Sequence, residues 1–518
     1  MKEKHAITLK DFLARSGREF AIFVFVCVVG LAIRFPFFFP AVIDWDESTF
    51  IIVGQSAVNG FLPYEIAWDN KPPVVFWWFG AAIELFGKTV PAVRCAGFIW
   101  LALSAYVLYR AAFSISESRL GGILAAAMLI VASSAYSLSV STELLAVLPM
   151  SGAILLLQGS GQDLRSVFLA GILLGLACMF RLNLIFLCFA VGVFLCIQAP
   201  RGPWKAFLYR GLKRGISFSV GVVTPALLSF LPYLLSGHWQ LWTRLYEVGV
   251  SYSDEQRSLA KNIVDTLCES NHRVAGATMW GAGVLGALIL PRHWSDLSAE
   301  RRLDWVLCGV FVIGSFFSII MTGPYYSHYF IQLAPGLSMF AAAPFMSRGK
   351  TFDFSKANCA KFVFGSVLIG TVIFRMAGTE WRALANRLWG GERLSYGTAY
   401  DIANFIKGQG RQDFSLFILS NHLVYWLLDR YPPTLLATHP SDLRKPYIRR
   451  YLEPDSRTTE DALRNVFLRE PTFVVRYAGH DVPLDGAAYR FLQKELASAY
   501  ELVANIDGNQ VFQRKGTH

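Results

Sequence analysis

Eleven apolar stretches of roughly 15 to 22 residues recur along this chain, each bounded by polar or charged residues. They fall at 20–39, 92–111, 120–137, 143–159, 167–181, 184–199, 215–236, 274–290, 305–321, 329–346 and 362–378. Continuous apolarity at that length predicts helices that cross a lipid bilayer, not strands or the one-sided helices of a soluble core. Three segments break the rhythm by their length: 40–91, 237–273 and everything after 378. The first holds an amphipathic helical stretch (Phe50, Ile51, Val53, Ala57, Val58), a Gly-Phe-Leu-Pro-Tyr turn and an apolar run rich in Trp and Phe, which predicts juxtamembrane helices. The second reads as one or two amphipathic helices at the membrane surface.

After residue 378 the pattern changes. Helix-like stretches (Tyr400 to Lys407, His422 to Arg430, Thr459 to Arg469, Gly486 to Ala499) alternate with short strand-like runs, FSLFILS, TLLAT, TFVVRY and the pair YELVANI and NQVFQRK around Asp507-Gly508. That alternation predicts a small α/β layer domain whose last two strands close as a hairpin on the Asp-Gly turn. The chain therefore divides into a membrane unit, 1–378, and an appended soluble α/β domain, 379–518. No repeat or low-complexity tract interrupts it.

Composition agrees. Of 518 residues 54% are apolar and only 16% charged, and the mean hydropathy is +0.40. A soluble enzyme carries about 25% charged residues, so that class is excluded. The net charge of +11 is ambiguous by itself, since nucleic-acid binding and basic cytoplasmic loops both produce it. Placement decides. With residue 1 in the cytoplasm, the inside segments hold 20 Lys and Arg against 9 Asp and Glu, which leaves 28 of each for the rest. The surplus thus reports orientation, a cytoplasmic N-terminus with the tail outside, and no nucleic-acid partner is expected. The basic N-terminus leads into the first apolar stretch without a small-residue cleavage site and predicts an uncleaved span. Eight cysteines, mostly inside apolar runs, show neither ligand spacing nor a disulfide framework.

The densest chemistry lies just past the first span. Asp44, Asp46 and Glu47 follow it directly, and Trp68-Asp69-Asn70-Lys71-Pro72-Pro73 comes twenty residues later. A carboxylate at the bilayer surface, partly screened by aromatic residues, is placed for a raised pKa and general-base work. Asp46 or Glu47 equally suits the cap of the following helix. Glu143, Arg34 and Arg181 with Asn183 lie in or against apolar runs, where polar groups are costly without partners. Arg34 reads as half of a structural ion pair with an acidic residue of the loop.

The order Asp46-Glu47, Gly60-x-x-Pro63-Tyr64, Trp68-Asp69-x-Lys71-Pro72-Pro73, Phe86-Gly87, Arg94, with His328-Tyr329-x-x-Gln-x-x-Pro335 later, resembles the GT-C class of integral membrane glycosyltransferases. It is most similar to the bacterial branch related to protein O-mannosyltransferases, the lipid A aminoarabinose transferase and the rhizobial galacturonosyltransferases. The resemblance covers about 1–350. It implies inverting transfer of a sugar from a polyprenyl-phosphate carrier to an envelope acceptor such as lipid A or a lipopolysaccharide core, on the periplasmic face of a bacterial inner membrane.

By the same resemblance Asp46 is the general base, Glu47 organises the loop or exchanges roles with it, and Glu143 joins the active site from the next outer loop. Lys71, Arg94, Arg181, His328 and Tyr329 become candidates for the donor phosphate, whose negative charge grows as the glycosidic bond breaks. Arg94 also fits an interfacial snorkelling residue, and His328 an aromatic-belt histidine. No cofactor is required by the sequence, although Asp46, Glu47 and Glu143 together offer ligands to a divalent cation. A transporter or flippase of a lipid-linked sugar is the rival reading; the paired half-repeats and midplane helix breaks of transporters are not evident.

Overall fold

The computed structural model describes residues 9–159, 163–198, 203–253, 258–269, 274–323, 326–346, 356–479 and 484–516. α1 (Leu9–Arg34) ends in a 3-10 turn at Phe35–Phe38, and the first long connection folds as α2 (Trp45–Val58) and α3 (Pro73–Phe86). A bundle follows: α4 (Val90–Ser116), α5 (Arg119–Tyr136), α6 (Thr142–Leu156), α7 (Leu164–Phe180), α8 (Ile185–Ile197) and α9 (Trp204–Leu235). The second long connection gives α10 (Trp239–Ser253) and α11 (Leu259–Glu269); then come α12 (Val274–Ile289), α13 (Ala299–Thr322), α14 (Ala334–Phe340) and α15 (Lys356–Trp389). Ten of the eleven predicted stretches are largely α-helical, and the one at 329–346 is broken into short pieces. The protein is an α-helical polytopic membrane protein with a small sheet in its C-terminal region.

Among the described residues five helical segments, Gly17–Phe38, Val90–Ser116, Arg119–Tyr136, Trp204–Leu235 and Ala299–Thr322, are long and apolar enough to cross a bilayer. Others are shorter: α6 has 15 residues, α7 17 and α8 13. Their packing settles whether the last two are separate segments. The Ser217 hydroxyl donates to the Leu164 carbonyl and Ser229 approaches Met179, so α7 and α9 run parallel. Gly211 lies against Cys196 and Gly192 against Phe218, so α8 runs antiparallel to α9. The chain therefore reverses at Arg181–Leu184, beyond the last residue of α7. A side chain at Gly221 would meet the Phe168 carbonyl at 2.3 Å, which is why glycines line the α7–α9 contact.

The stretch at 329–346 departs from a simple span. It starts as a 3-10 segment, Ser327–Leu333, and becomes α-helical only at Ala334. Pro335 explains the break, because its ring would clash with the carbonyl of residue 331 in a continuous α-helix. Arg34 also differs from expectation: it caps the end of α5 through the Ser137 carbonyl (2.7 Å), the Leu138 carbonyl (3.2 Å) and the Ser134 hydroxyl (3.0 Å), and makes no ion pair with the loop. Carbonyls at a helix C-terminus attract a cation as an acid would.

The tail comprises α16 (Thr398–Gly408), β1 (Leu416–Ile418), α17 (Val424–Leu427), α18 (Pro446–Leu452), α19 (Thr459–Phe467), β2 (Phe473–Tyr477), α20 (Gly486–Ala499), β3 (Tyr500–Ile506) and β4 (Asn509–Arg514). Sheet order is β1-β2-β4-β3, with β1 and β2 parallel and the other pairs antiparallel. The hairpin turns on Asp507 (φ 48°) and Gly508 (φ 78°), the left-handed pair that a two-residue hairpin demands. TLLAT is not the expected strand. Leu435–Ala437 form a 3-10 turn between Pro432-Pro433 and Pro440, and Thr438 uses its hydroxyl to accept the Trp68 amide (3.0 Å). That bond is one of several fixing the tail to the first long connection. His422 meets the Thr49 hydroxyl (2.9 Å), Trp426 donates to Gln55 (3.0 Å), and the Ala41 amide donates to the Tyr396 carbonyl (2.7 Å).

Candidate active site

A cavity of about 810 Å³ opens where the start of α2, the turn before α3, the α7–α8 reversal, the segment after α13 and the tail converge. Asp46, Lys71, Arg181, His328 and Tyr329 line it together, although they are spread over 284 residues of chain. Trp45, Asp69, Tyr246, His439, Asp442 and Lys445 complete much of its wall.

Local sequence explains how each group is held. Asp44, not Asp46 or Glu47, is the N-cap of α2, and its carboxylate accepts the Asp46 amide at 2.8 Å. Capping by Asp44 leaves the Asp46 side chain free to face the cavity, where it is 39% exposed. Lys71 precedes Pro72 and Pro73, which start α3, and its carbonyl accepts the Tyr64 hydroxyl at 2.5 Å. Tyr64 is itself buried against Trp68, Phe76 and Tyr233 and sits at φ 76° in the Gly-Phe-Leu-Pro-Tyr turn. The Lys71 ammonium then lies 2.8 Å from the Asn70 amide oxygen and 3.6 Å from Asp69. Glu143 opens α6 fully buried and pairs with Arg181 at 3.1 Å, and the Arg181 guanidinium stacks 4.1 Å over the Tyr329 ring.

Three expected site residues do not line the cavity: Glu143 touches it only through its partner Arg181, and Glu47 and Arg94 fall elsewhere. Glu47 is buried under α2, where Arg94 donates to it at 2.6 and 3.0 Å and the Val140 amide at 2.8 Å. Arg94 also binds the Phe37 and Pro40 carbonyls, at 2.9 and 2.5 Å. Neither Glu47 nor Arg94 lines the cavity, and the Arg94 guanidinium is turned to Glu47 and the loop carbonyls. The pair is the interior fastener of the loop. Arg94→Met leaves Glu47 buried without a counter-ion and is expected to cost about 3–5 kcal/mol. Glu47→Gln keeps an acceptor for an arginine already bound by carbonyls and should cost less, a difference readable as thermal unfolding midpoints in detergent.

The divalent-ion grouping of Asp46, Glu47 and Glu143 is not formed either. No group of three or more His, Cys, Asp or Glu suited to a metal occurs among the described residues. Each of the three carboxylates faces its own basic groups, Glu47 with Arg94, Glu143 with Arg181, and Asp46 with Lys71 and His439.

The electrostatics reverse one expectation. Burial pushes Asp46 upward, but Lys71, His439, His328 and Lys445 together outweigh it and hold the carboxyl at about 2. The raised carboxyls are its neighbours. Burial lifts Asp69 to about 6 against the pull of Lys71, and burial with the charge of Asp46 lifts Asp44 to about 6. Lys71 is raised, since Asp69 and Asp46 more than offset its burial.

Sequence reasoning missed the tail's share of the site. His439, Asp442 and Lys445 enter the cavity from the run Thr438 to Pro446, with Lys445 bound to Asp442 at 2.9 Å. The signal was present: a polar cluster, His-Pro-Ser-Asp-Leu-Arg-Lys, set between apolar runs.

Comparison with known proteins agrees with this architecture. The family model of dolichyl-phosphate-mannose-protein mannosyltransferases matches residues 70–211. Among curated protein sequences none matches. Two solved structures of ArnT from Cupriavidus metallidurans are similar over nearly the whole chain. The apo form is 14% identical with a TM-score of 0.56, covering 96% of this chain and 98% of that one. The form bound to undecaprenyl phosphate is 16% identical with a TM-score of 0.56, covering 97% and 98%. At these identities the likeness establishes the fold, and this chain has the GT-C fold.

Proposed function

We propose that the protein is an inverting glycosyltransferase that moves one sugar from a polyprenyl-phosphate donor to a cell-envelope acceptor, lipid A, a lipopolysaccharide core or another glycan. The transfer takes place on the periplasmic face of a bacterial inner membrane, with the N-terminus cytoplasmic and residues 379–518 periplasmic. The observation that carries this reading is the sharing of one cavity by a carboxylate open to it, Asp46, and the basic side chains Lys71 and Arg181. That combination suits a displacement in which a proton leaves on one side and a phosphate on the other.

In this reading the acceptor oxygen attacks the anomeric carbon, its proton passes to Asp46, the bond from that carbon to the phosphate oxygen breaks, and polyprenyl phosphate departs with the electron pair. Lys71 and Arg181 meet the charge growing on the phosphate, and His328 and Tyr329 stand beside them. Before the donor arrives, Lys71 and His328, together with His439 and Lys445 of the tail, suppress the basicity of Asp46. A bound phosphate offsets their field, so the carboxylate becomes an effective base only once there is a donor to act on. The comparison structure bound to undecaprenyl phosphate supports the choice of lipid.

Purified protein in nanodiscs, given a panel of radiolabelled undecaprenyl-phosphate sugars and an envelope lipid extract, should label an acceptor with at least one donor. Absence of label throughout, with donor translocation across proteoliposomes, would replace the transferase reading by the flippase.

A further inference from the structure

Asp46 has a neighbour from the other end of the chain. His439 of the tail places Nε2 3.7 Å from the Asp46 carboxylate. Its other nitrogen is committed: Nδ1 accepts the Ser441 backbone amide at 3.2 Å and lies 2.7 Å from the Ser441 hydroxyl. A backbone N–H can only donate, so Nδ1 holds a lone pair and the single proton of the neutral ring sits on Nε2, facing Asp46. The ring is clamped as well. Trp45 packs against it at 5.9 Å and His422 at 5.4 Å, both edge to face. His422 in turn is fixed to the carbonyl of Trp45 (3.1 Å) and to Thr49, one turn further along α2. Tail and helix thus hold the two partners in one frame.

We infer that His439 is a positioning residue for the base: its Nε2–H orients Asp46 through one carboxylate oxygen and leaves the other to take the acceptor proton. The inference rests on the transferase reading of Asp46. It makes the soluble domain part of the active site. A separation of 3.7 Å is long for a hydrogen bond, and such contacts commonly tighten only when substrate is bound. Charged and titratable groups facing the ring are Asp46 from α2, Lys71 from the turn before α3, and His422, Asp442 and Lys445 from the tail. Burial is the largest influence and holds His439 below its ordinary value.

The test uses the full-length protein and two readouts. Carbodiimide couples to protonated carboxyls, so its rate at Asp46 at pH 5, followed by mass spectrometry, reports how well that carboxylate is stabilised. His439→Ala should raise the rate several-fold, and His439→Gln, which keeps an N–H donor, should restore it. Transfer from whichever undecaprenyl-phosphate sugar labels an acceptor should fall about 10- to 100-fold in kcat for His439→Ala, recover in His439→Gln, and leave undecaprenyl phosphate binding unchanged. Equal loss in both variants, or a fall in unfolding midpoint that accounts for the loss, would overturn the inference and leave a packing role. Unchanged labelling would do the same. Should Asp46→Asn keep full transfer, the transferase reading fails first; an inactive Asp46→Asn beside a fully active His439→Ala sinks this inference alone.

Discussion

Asp46→Asn is expected to slow transfer by about 10²–10⁴-fold, the usual share of a positioned base, while undecaprenyl phosphate binding holds or tightens. Asparagine matches the carboxylate in shape and removes a negative charge from a cavity that must accept a phosphate. The pH profile gives the same step a second signature. A carboxylate accepts a proton only when ionised, so activity falls as pH drops through its pKa. In the free protein that value is about 2, because the pull of Lys71, His439, His328 and Lys445 exceeds the effect of burial. The profile of kcat/KM for the donor should therefore show no limb from Asp46 above about pH 3. With donor bound, the phosphate screens those basic groups, and the limb in kcat should move upward. Coincident limbs in the two profiles, or full transfer by Asp46→Asn, would exclude Asp46 as a base controlled by donor binding.

The helices were legible because apolar runs leave few alternatives, and even the reversal at Arg181 to Leu184 was visible as two polar residues between short runs. The break at Pro335 was legible in principle, since proline blocks the i−4 bond wherever it falls. Side-chain commitments were not. Arg94 and Asp46 look equally functional in a string of residues, yet one is sealed against Glu47 and the other opens to a cavity. Asp44 takes the capping role, which leaves the Asp46 side chain to the cavity. Periodicity assigns faces, and it cannot say which of three adjacent carboxylates will cap. The tail's contribution was hidden for a different reason: His439 lies 393 residues from Asp46, and only the docking of Thr438 on Trp68 and of His422 on Thr49 brings that run over the site.

Lys71→Met should lower kcat/KM for the donor by about 10²–10³-fold, the loss typical of removing one donor that stabilises transition-state charge. Lys71 stands between Asp69 and Asp46 electrostatically, so its removal also frees both carboxylates to repel an incoming phosphate. Affinity for undecaprenyl phosphate should fall with turnover. Lys71→Arg is not expected to rescue it, because a planar guanidinium cannot take the compact place between Asn70 and Asp69. Arg181 supplies the internal control. If Lys71 and Arg181 grip one phosphate, Lys71→Met and Arg181→Met will be non-additive, since the second loss falls on a ligand already displaced. Simple additivity would mean that they hold different groups, and a phosphate clamp would have to be sought among the other cavity residues. Arg94→Met separates fold from function: it should lower the unfolding midpoint, yet the protein that remains folded should bind undecaprenyl phosphate as the parent does, because Arg94 faces Glu47 under α2 and not the cavity.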